Sequence, residues 1–285
     1  MLLTISFLCY KILNNMRKDK IGFIGSGKMG EAIIAGVLKK KLFNNKNIFF
    51  YDMSVKAANY IRKKYKINFI KNNHELLDKA KIIVLAVKPQ AVRVILDDIK
   101  KKVTKGHLII SIAAGIKIKT IKKLLAQNVK VIRVMPNTPC LIGKGISVLS
   151  PDKNIDKKSI ETVEKIFSSL GRAIILDEKY LNSVTALSGS GPAFVYRIVD
   201  AFIKAGKSVR LKENISKELA IETFLGAVEM IKTTGKSIEQ LVLDVSSPNG
   251  TTVAGRYILE KSNYKKIIKS TIKAAKKRAE ELSKG

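Results

Sequence analysis

Residues 21–30 read Ile-Gly-Phe-Ile-Gly-Ser-Gly-Lys-Met-Gly, and the predicted fold begins from this stretch. A short apolar run leads into glycines at positions 25, 27 and 30, and apolar residues at helical spacing follow over residues 32–38. The pattern predicts a strand, a tight turn and a helix. In a dinucleotide-binding turn the first glycine permits the turn, the second lets the backbone approach a pyrophosphate, and the third lets helix and strand pack closely.

Glycine-rich turns also serve structure alone, so the context of this one matters. About 20 residues further on, a second apolar run covers Ile48–Tyr51 and is followed by Asp52. An acidic residue in that place accepts hydrogen bonds from a ribose 2′-hydroxyl and repels a 2′-phosphate. The combination predicts dinucleotide binding with a slight preference for NADH over NADPH, which the nearby Lys56 can weaken.

Two patterns of apolar residues divide the chain. Up to residue 176, short β-rich runs alternate with amphipathic segments such as residues 55–65 and 118–125, which predicts a parallel, doubly wound α/β sheet of the Rossmann type. Later apolar residues recur at helical spacing with almost no strand signal, which predicts an all-helical second half. The predicted strands cover residues 21–24, 48–51, 67–70, 82–86, 108–112, 130–134, 146–149 and 173–176.

We therefore expect a dinucleotide-binding domain at residues 19–178 and a helical domain at residues 179–285, which fits a chain of 285 residues. Residues 1–18 are mostly apolar and then basic. They lack a basic start and a clear cleavage site, so we leave them out of both domains, as a possible leader or an extended gene start.

The charge is unusual, with 54 lysines and arginines against 23 acidic residues and a formal net charge of +31. Such a balance can indicate a nucleic-acid or membrane partner. Only nine of the basic residues are arginine, however, and the lysines are scattered along the chain. Nucleic-acid sites favour arginine forks and stacked aromatic rings, so we predict no nucleic-acid partner. An anionic cofactor or substrate is attracted by such a field in any case.

Few residues are available for other chemistry. Cys9 and Cys140 lie far apart, so no disulfide framework or CxxC metal pattern is present, and a reducing compartment such as the cytoplasm fits. His74 and His107 stand outside any metal-ligand spacing, so we predict no metal. No apolar run of 18 residues occurs, so we predict no membrane span. An organelle is the alternative location if residues 1–18 act in targeting.

Several segments carry polar or small residues where a ligand of an open α/β sheet would lie. Residues 84–90 end a predicted strand in Lys88 and Pro89, residues 111–115 are mostly small, and residues 133–139 place Asn137 and Thr138 between two prolines. In the helical half, residues 186–194 and 244–252 precede helical patterns with serines, threonines and glycines. Such helix starts can bind a carboxylate without an arginine. Ordinary tight turns and helix caps are the alternatives.

Six segments together resemble the pyrroline-5-carboxylate reductase family and occur in that family's order. They are GFIGSGKMGEAI at 22–33, VLAVKPQ at 84–90, SIAAGI at 111–116, RVMPNTP at 133–139, ALSGSGPAF at 186–194 and SSPNGTT at 246–252. The resemblance implies a Rossmann domain, a helical dimerisation domain and reduction of 1-pyrroline-5-carboxylate to L-proline by NADH or NADPH, the last step of proline biosynthesis. It also implies a homodimer or a larger ring of dimers such as a decamer.

The resemblance further implies the site residues by position. Cofactor contacts are expected from the glycine turn, the second strand and three later loops, namely Gly25, Ser26, Gly27, Lys28, Met29, Gly30, Asp52, Asn73, Ala86, Val87, Lys88, Pro89, Ala113, Ala114 and Gly115. Substrate contacts are expected from Glu178, Asp244, Ser247, Gly250, Thr251 and Thr252. Because the family's site lies partly across the dimer, these substrate residues are expected to serve the partner subunit.

Thr252 is the expected catalytic residue, through a hydrogen bond to the ring nitrogen. One position departs from the family pattern, since Asn249 stands where a glycine is usual. Asparagine tolerates a left-handed backbone, so we expect the loop to keep its shape. Three other functions stay open at this point: a related reductase of a hydroxy acid or another imine, a cofactor-binding protein without activity, and a basic nucleic-acid-binding protein.

Overall fold

The computed structural model describes residues 16, 18–125 and 128–283, and the possible leader lies outside these residues except for Met16 and Lys18. The chain divides into two compact units. Among the described residues, the first unit comprises those up to residue 189 together with residues 275–283, and the second unit comprises residues 190–274. The predicted domain boundary between residues 178 and 179 stays a prediction.

The first unit is built on one sheet of eight strands in the order β3-β2-β1-β4-β5-β6-β7-β8. Neighbouring strands are parallel except for β6 and β7. The strands are β1 (Ile21–Ile24), β2 (Ile48–Tyr51), β3 (Asn68–Phe69), β4 (Ile82–Leu85), β5 (Leu108–Ser111), β6 (Lys130–Pro136), β7 (Gly145–Pro151) and β8 (Gly171–Ile175).

The predicted doubly wound α/β fold is confirmed, with one departure in the sheet. The antiparallel pairing of β6 with β7 was not predicted. Its physical reason is the short connection, because only residues 137–144 separate the two strands. A parallel crossover needs about a dozen residues or more, so the chain turns back and pairs antiparallel.

Helices flank the sheet and make up the second unit. In the first unit they are α1 (Lys28–Lys39), α2 (Val55–Tyr65), α3 (Asn73–Lys79), α4 (Pro89–Ile99), α5 (Ile118–Leu125), α6 (Lys157–Ser168) and α7 (Leu181–Val184). The later helices are α8 (Gly191–Ser208), α9 (Glu213–Thr233), α10 (Ile238–Asp244), α11 (Thr251–Lys261) and α12 (Tyr264–Leu282). No helix among the described residues is long and apolar enough to cross a membrane.

Both faces of the sheet are buried. Phe23 and Phe50 belong to one buried apolar cluster, whereas Ile24 and Phe49 belong to another. Side chains of successive strand residues point to opposite faces, so adjacent residues enter different clusters. Burial on both faces explains why the strands read as continuous apolar runs rather than as alternating patterns.

The second unit has almost no core of its own. Within residues 190–274 only Ser216 and Ala220 are buried. Helices α8 and α9 pack closely where Gly206 of α8 contacts Ser216 of α9. The Ser216 hydroxyl donates to the carbonyl oxygen of Ile203 at 2.6 Å. Large apolar side chains stay exposed along all five helices that pass through this unit, including Leu225 and Ile258.

A buried histidine just before β5 is hydrogen-bonded to the preceding turn and to α3. His107 is 1 % exposed; its Nδ1 accepts from the Thr104 amide at 3.0 Å, and its Nε2 donates to the carbonyl oxygen of Leu77 at 3.1 Å. Burial lowers the pKa of His107 from its ordinary 6.5, so the folded protein keeps the neutral imidazole.

This pKa shift predicts a loss of stability in mild acid. Below an ordinary pKa of 6.5 the unfolded chain binds a proton that folded His107 resists, so the stability contributed by the neutral ring falls as pH falls toward the folded pKa. We expect the free energy of unfolding to decrease from about pH 7.5 to about pH 5 less in His107→Gln than in the unmodified chain. Denaturant unfolding at both pH values measures this difference, and equal decreases would contradict the prediction.

Candidate active site

The turn between β1 and α1 approaches the end of β4 so closely that its first glycine admits no side chain. Gly25 has φ +90°, and a Cβ there would lie 2.6 Å from the carbonyl oxygen of Ala86. Its amide donates to the carbonyl oxygen of Tyr51 at 2.8 Å, which joins the turn to β2. At Gly30 a Cβ would lie 2.8 Å from the carbonyl oxygen of Gly25. The first and third glycines are therefore required by packing.

Packing does not explain why a glycine stands at position 27, the second glycine of the turn. Gly27 precedes α1 with an extended backbone that any residue can adopt, and a Cβ there would meet nothing within 4 Å. No side chain caps the helix at this point. The fold itself therefore does not require a glycine, whereas an anion that approaches the free amides of Lys28 and Met29 does. This open space fits the pyrophosphate of a dinucleotide.

Asp52 holds the glycine turn in place. Its Oδ2 accepts hydrogen bonds from the Ser26 amide at 2.7 Å and from the Ser26 hydroxyl at 2.8 Å, and its Oδ1 accepts from the Ser54 amide at 2.9 Å. The sequence pattern predicted a ribose contact for Asp52 but not this positioning of the turn. Since each carboxylate oxygen has two lone pairs, Oδ1 still has capacity for a ligand hydroxyl.

A cavity of about 610 Å³ adjoins the turn at the carboxyl edge of the strands. Met53 and Val94 lie on its wall and are 84 % and 72 % exposed, and sequence reasoning missed both. Exposed apolar side chains of this kind suit the flat face of a base. Seven predicted cofactor residues line this cavity, namely Gly25, Gly27, Asp52, Asn73, Ala86, Val87 and Lys88.

The other predicted cofactor residues lie outside the cavity lining. Ser26 is buried beneath the turn, Lys28, Met29 and Gly30 belong to the first turn of α1, and Pro89 begins α4. Ala113, Ala114 and Gly115 follow β5. Gly115 has φ +80°, and a Cβ there would lie 2.9 Å from the carbonyl oxygen of Leu282. Close packing against the end of α12 therefore explains Gly115 without a ligand.

Glu178 accepts hydrogen bonds from two residues of the first unit, to which it belongs. Its Oε1 accepts from Arg133 Nη1 at 2.6 Å and from the Ile118 amide at 2.8 Å. Arg133 is only 5 % exposed, so its ion pair with Glu178 joins β6 to the segment after β8 with a largely desolvated guanidinium, and the Ile118 amide adds the start of α5. Asn137 has a comparable structural role, because its Oδ1 accepts from the Ile146 amide at 2.9 Å.

The remaining predicted substrate residues lie in the second unit, from the end of α10 to the first turn of α11. Asn249 has φ +56°, in the left-handed region that asparagine tolerates, and the preserved shape of the loop stays a prediction. Gly250 precedes α11, and no side chain caps the helix. Thr251 and Thr252 are exposed in its first turn. Ser247 accepts from the Gly250 amide through its carbonyl oxygen at 3.0 Å. This arrangement leaves helix amides and hydroxyls available to a carboxylate.

Asp244, at the end of α10, is paired within the second unit. Its Oδ2 accepts from Lys236 Nζ at 2.7 Å, and its Oδ1 accepts from Gln240 Nε2 at 2.8 Å. The hydrogen bond from Lys236 lowers the pKa of Asp244, so this carboxylate stays ionised and charge-compensated. No group of three or more histidines, cysteines and acidic residues that could hold a metal ion occurs in the described part of the chain.

Comparison with known proteins identifies the family. A family model described as pyrroline-5-carboxylate reductase dimerisation matches residues 178–282. The pyrroline-5-carboxylate reductase of Arabidopsis thaliana is 34 % identical over 264 residues, which cover 93 % of this chain and 95 % of that protein. This chain belongs to the pyrroline-5-carboxylate reductase family. The resemblance seen in the sequence motifs is thereby confirmed.

Other comparisons agree with this family. A model described as NADP oxidoreductase, coenzyme F420-dependent, matches residues 20–115. A crystal structure of the Plasmodium falciparum pyrroline carboxylate reductase with NADP bound has a TM-score of 0.84 and 34 % identity, and the match covers 94 % of this chain and 99 % of that one. The Coxiella burnetii pyrroline-5-carboxylate reductase structure has a TM-score of 0.88 and 31 % identity, with the same two coverages. The predicted NAD(P)H-dependent oxidoreductase class is confirmed.

Gly25 is required by packing and Gly27 is not, so alanine substitutions at the two positions should have different effects. Gly27→Ala places a methyl group in the open space at the start of α1, so we expect NADH affinity to fall at least about tenfold while the free energy of unfolding changes by less than about 1 kcal/mol. Gly25→Ala is the matched contrast, because φ +90° and the Ala86 carbonyl oxygen oppose it. Its expected loss of stability is about 1–3 kcal/mol.

Cofactor titration and denaturant unfolding of both variants measure these effects. Normal NADH binding by Gly27→Ala would contradict the assignment of the pyrophosphate to this turn.

Proposed function

We propose that this pyrroline-5-carboxylate reductase family member reduces 1-pyrroline-5-carboxylate to L-proline with a reduced nicotinamide dinucleotide, in the last step of proline biosynthesis. The observation that carries the proposal is the uncapped start of α11, where Gly250 and two exposed threonines leave a site for a small carboxylate. The same chain carries a dinucleotide turn whose middle glycine faces open space.

The cofactor is assigned to the cavity at the carboxyl edge of the sheet. The amides that follow Gly27 would hold the pyrophosphate, and Asp52 would accept from the adenosine ribose. Bound there, the reduced nicotinamide supplies the hydride. Lys88, Pro89 and the segment 113–115 are kept as proposed contacts for the remainder of the dinucleotide. What supports this assignment is the set of predicted residues that line one cavity.

The substrate is assigned to the loop before α11. The free amides of Thr251 and Thr252, with the Ser247 hydroxyl, would hold the ring carboxylate. The Thr252 hydroxyl would also hydrogen-bond to the ring nitrogen and hold the proton there. The proposed substrate set is completed by Glu178 and Asp244. Glu178 would use Oε2, because Oε1 already accepts from Arg133 and Ile118.

The proposed assembly is a homodimer, with a larger ring of dimers such as a decamer as its extension. The support is physical, since residues 190–274 bury only Ser216 and Ala220 while many large apolar side chains stay exposed. An apolar groove of about 460 Å³ runs between α8 and α9. A second copy of this surface would cover the apolar groups. Residues 244–252 would then serve the partner subunit.

We also propose NADH as the preferred cofactor and the cytoplasm as the location. The Asp52 carboxylate would repel a 2′-phosphate, which supports NADH, although the Plasmodium falciparum relative was solved with NADP. The small number of cysteines supports a reducing compartment. A targeting role for residues 1–18 would instead direct the protein to an organelle.

The direct test is oxidation of NADH and NADPH, in parallel, when 1-pyrroline-5-carboxylate is added to the purified protein. We expect both to be oxidised, NADH with the larger kcat/KM, and L-proline to form. A related hydroxy-acid reductase would instead respond to an oxo acid, and a nucleic-acid-binding protein would show salt-dependent DNA retention without oxidation. Failure with both cofactors, in protein shown to be folded and assembled, would refute the proposal.

Thr252 is tested by removing its hydroxyl. We expect Thr252→Ala to lower kcat/KM for the imine by more than about threefold, since a hydrogen bond at the reacting ring contributes about 1 kcal/mol or more. The matched control is Thr271→Ala, because the Thr271 hydroxyl only bonds the carbonyl oxygen of Ile267 in its own helix. Steady-state kinetics at saturating NADH compare the two variants, and a smaller loss in Thr252→Ala would remove this role.

A further inference from the structure

A second cavity of the first unit lies at the amino edge of the sheet, and the proposed function does not use it. Strands β1, β4, β5 and β6 are parallel neighbours, and residues at their amino ends, among them Ile82 and Leu108, line this cavity of about 400 Å³. The cofactor cavity lies at the carboxyl edge, where open α/β sheets bind their ligands. The amino-edge cavity is therefore separate from the dinucleotide site.

Lysine dominates the lining of the amino-edge cavity. Thirteen described residues line it, of which six are lysines and two are aspartates. In the whole chain 45 of 285 residues are lysine, so the cavity exceeds the general lysine content about threefold. The fold thus gathers lysines that are scattered in the sequence, namely Lys18, Lys20, Lys79, Lys81, Lys130 and Lys158.

Protein groups compensate only part of this positive charge. Lys130 Nζ donates to Asp156 Oδ2 at 2.6 Å. The other five lysines take part in none of the ion pairs of the described residues, and Asp19 is the second acidic group of the lining. The lining therefore carries a formal net charge of +4. Because like charges around one cavity repel each other, a bound anion would stabilise this arrangement.

Helix α6 adds to the positive potential of the cavity. Its first turn contains Lys157 and Lys158 and no acidic residue, although the helix dipole favours anions at this end. Asp156 precedes the helix, and its carboxylate accepts from the Ser159 amide at 2.9 Å and from the Ser159 hydroxyl at 2.8 Å, besides Lys130. This carboxylate is thus engaged by the helix start and by Lys130, and the charge of Lys158 stays uncompensated.

The lining suits a small phosphate compound better than a nucleic acid. The described residues of the lining include no arginine and no aromatic residue, so they offer neither a guanidinium fork nor a stacking surface for bases. Lysine ammonium groups bind phosphate as point charges. A phosphate monoester carries only about −1.5 to −2, so a lining of +4 matches more than one phosphate group.

We propose that the amino-edge cavity binds a small anion with two or more phosphate groups, as in an inorganic oligophosphate or the phosphate chain of a nucleotide. The exposed ammonium groups of Lys81 and Lys158 contact its phosphate oxygens. This site is independent of the reduction assigned to the protein, because its residues lie at the opposite edge of the sheet from the glycine turn.

The test is calorimetric titration of the full chain with inorganic tripolyphosphate at about 0.15 M salt, where weak surface attraction is largely screened. We expect one site per chain. Lys81→Gln combined with Lys158→Gln should raise the dissociation constant at least about tenfold, because charge-assisted hydrogen bonds to phosphate are lost. Lys81→Arg combined with Lys158→Arg keeps both charges, so we expect a dissociation constant within about threefold of the unmodified chain.

The matched control combines Lys63→Gln with Lys101→Gln. Both lysines are exposed and neither lines the cavity, so this variant removes the same charge from other parts of the first unit. We expect its dissociation constant to stay within about twofold. Equal weakening in the control, or several weak sites in place of one, would overturn the inference in favour of attraction by net charge. Thermal unfolding of each variant confirms that it is folded before titration.

NADH binding separates this site from the cofactor cavity. The chain has no tryptophan, so the fluorescence of the reduced nicotinamide reports NADH binding directly. We expect tripolyphosphate to leave the NADH dissociation constant within about twofold. Displacement of NADH, together with unchanged tripolyphosphate binding in the Lys81→Gln and Lys158→Gln variant, would assign the anion to the glycine turn and overturn the inference. Failure to bind NADH at all would instead contradict the proposed function and leave the calorimetric result standing.

Nucleotides identify the source of the phosphate groups. ATP and AMP are titrated into the unmodified chain and into the Lys81→Gln and Lys158→Gln variant, and only the binding that this variant loses is assigned to the amino-edge cavity. ATP binding equal to that of tripolyphosphate indicates that the phosphate chain alone is recognised, whereas tighter ATP binding indicates a nucleotide. AMP has one phosphate group, so AMP binding as tight as that of tripolyphosphate would overturn the requirement for two or more.

Discussion

The approach of Gly25 to the Ala86 carbonyl oxygen is the constraint on which the site depends. It is possible only because β1 lies between β2 and β4, so that the ends of three neighbouring strands meet at one place. The chain leaves β1 toward β2 on one side and later returns to β4 on the other, and a crevice opens where the direction changes. Because the turn between β1 and α1 is so short, α1 begins at this crevice, and Gly27 just before α1 lines the cavity. Asp52 then fastens the turn through Ser26.

Features that depend on neighbouring residues could be predicted from the sequence. Glycine spacing, apolar runs and helical periodicity are local, and they predicted the strands, the α/β first part and the helical second part, while the family was inferred from the resemblance of six motifs. The tolerance of Asn249 for its left-handed backbone could be anticipated for the same reason, because it belongs to the residue itself. The reversed direction of β7 needed one more consideration, the length of the connection before it.

Partners distant in the sequence could not be predicted. Asn73 and Asp98 lie on different helices, and nothing in either segment announces their hydrogen bond. The family resemblance implies Glu178 as a ligand group, yet one of its oxygens pairs with buried Arg133. A polar residue near a strand end can serve a ligand, the fold or both, and only the three-dimensional arrangement shows which atoms are already engaged.

The scarcity of buried side chains in residues 190–274 has a thermodynamic consequence. In the proposed homodimer, a unit that buries so little apolar surface within itself would gain much of its hydrophobic free energy when the copies associate. The folding of this unit would then be linked to association by mass action, so dilution would oppose the folded state and Tm would rise with protein concentration. The sheet of the first unit, by contrast, buries apolar clusters on both faces within a single chain. One polypeptide would thus combine a part that is stable by its own packing with a part whose stability depends on the concentration of the protein in the cell.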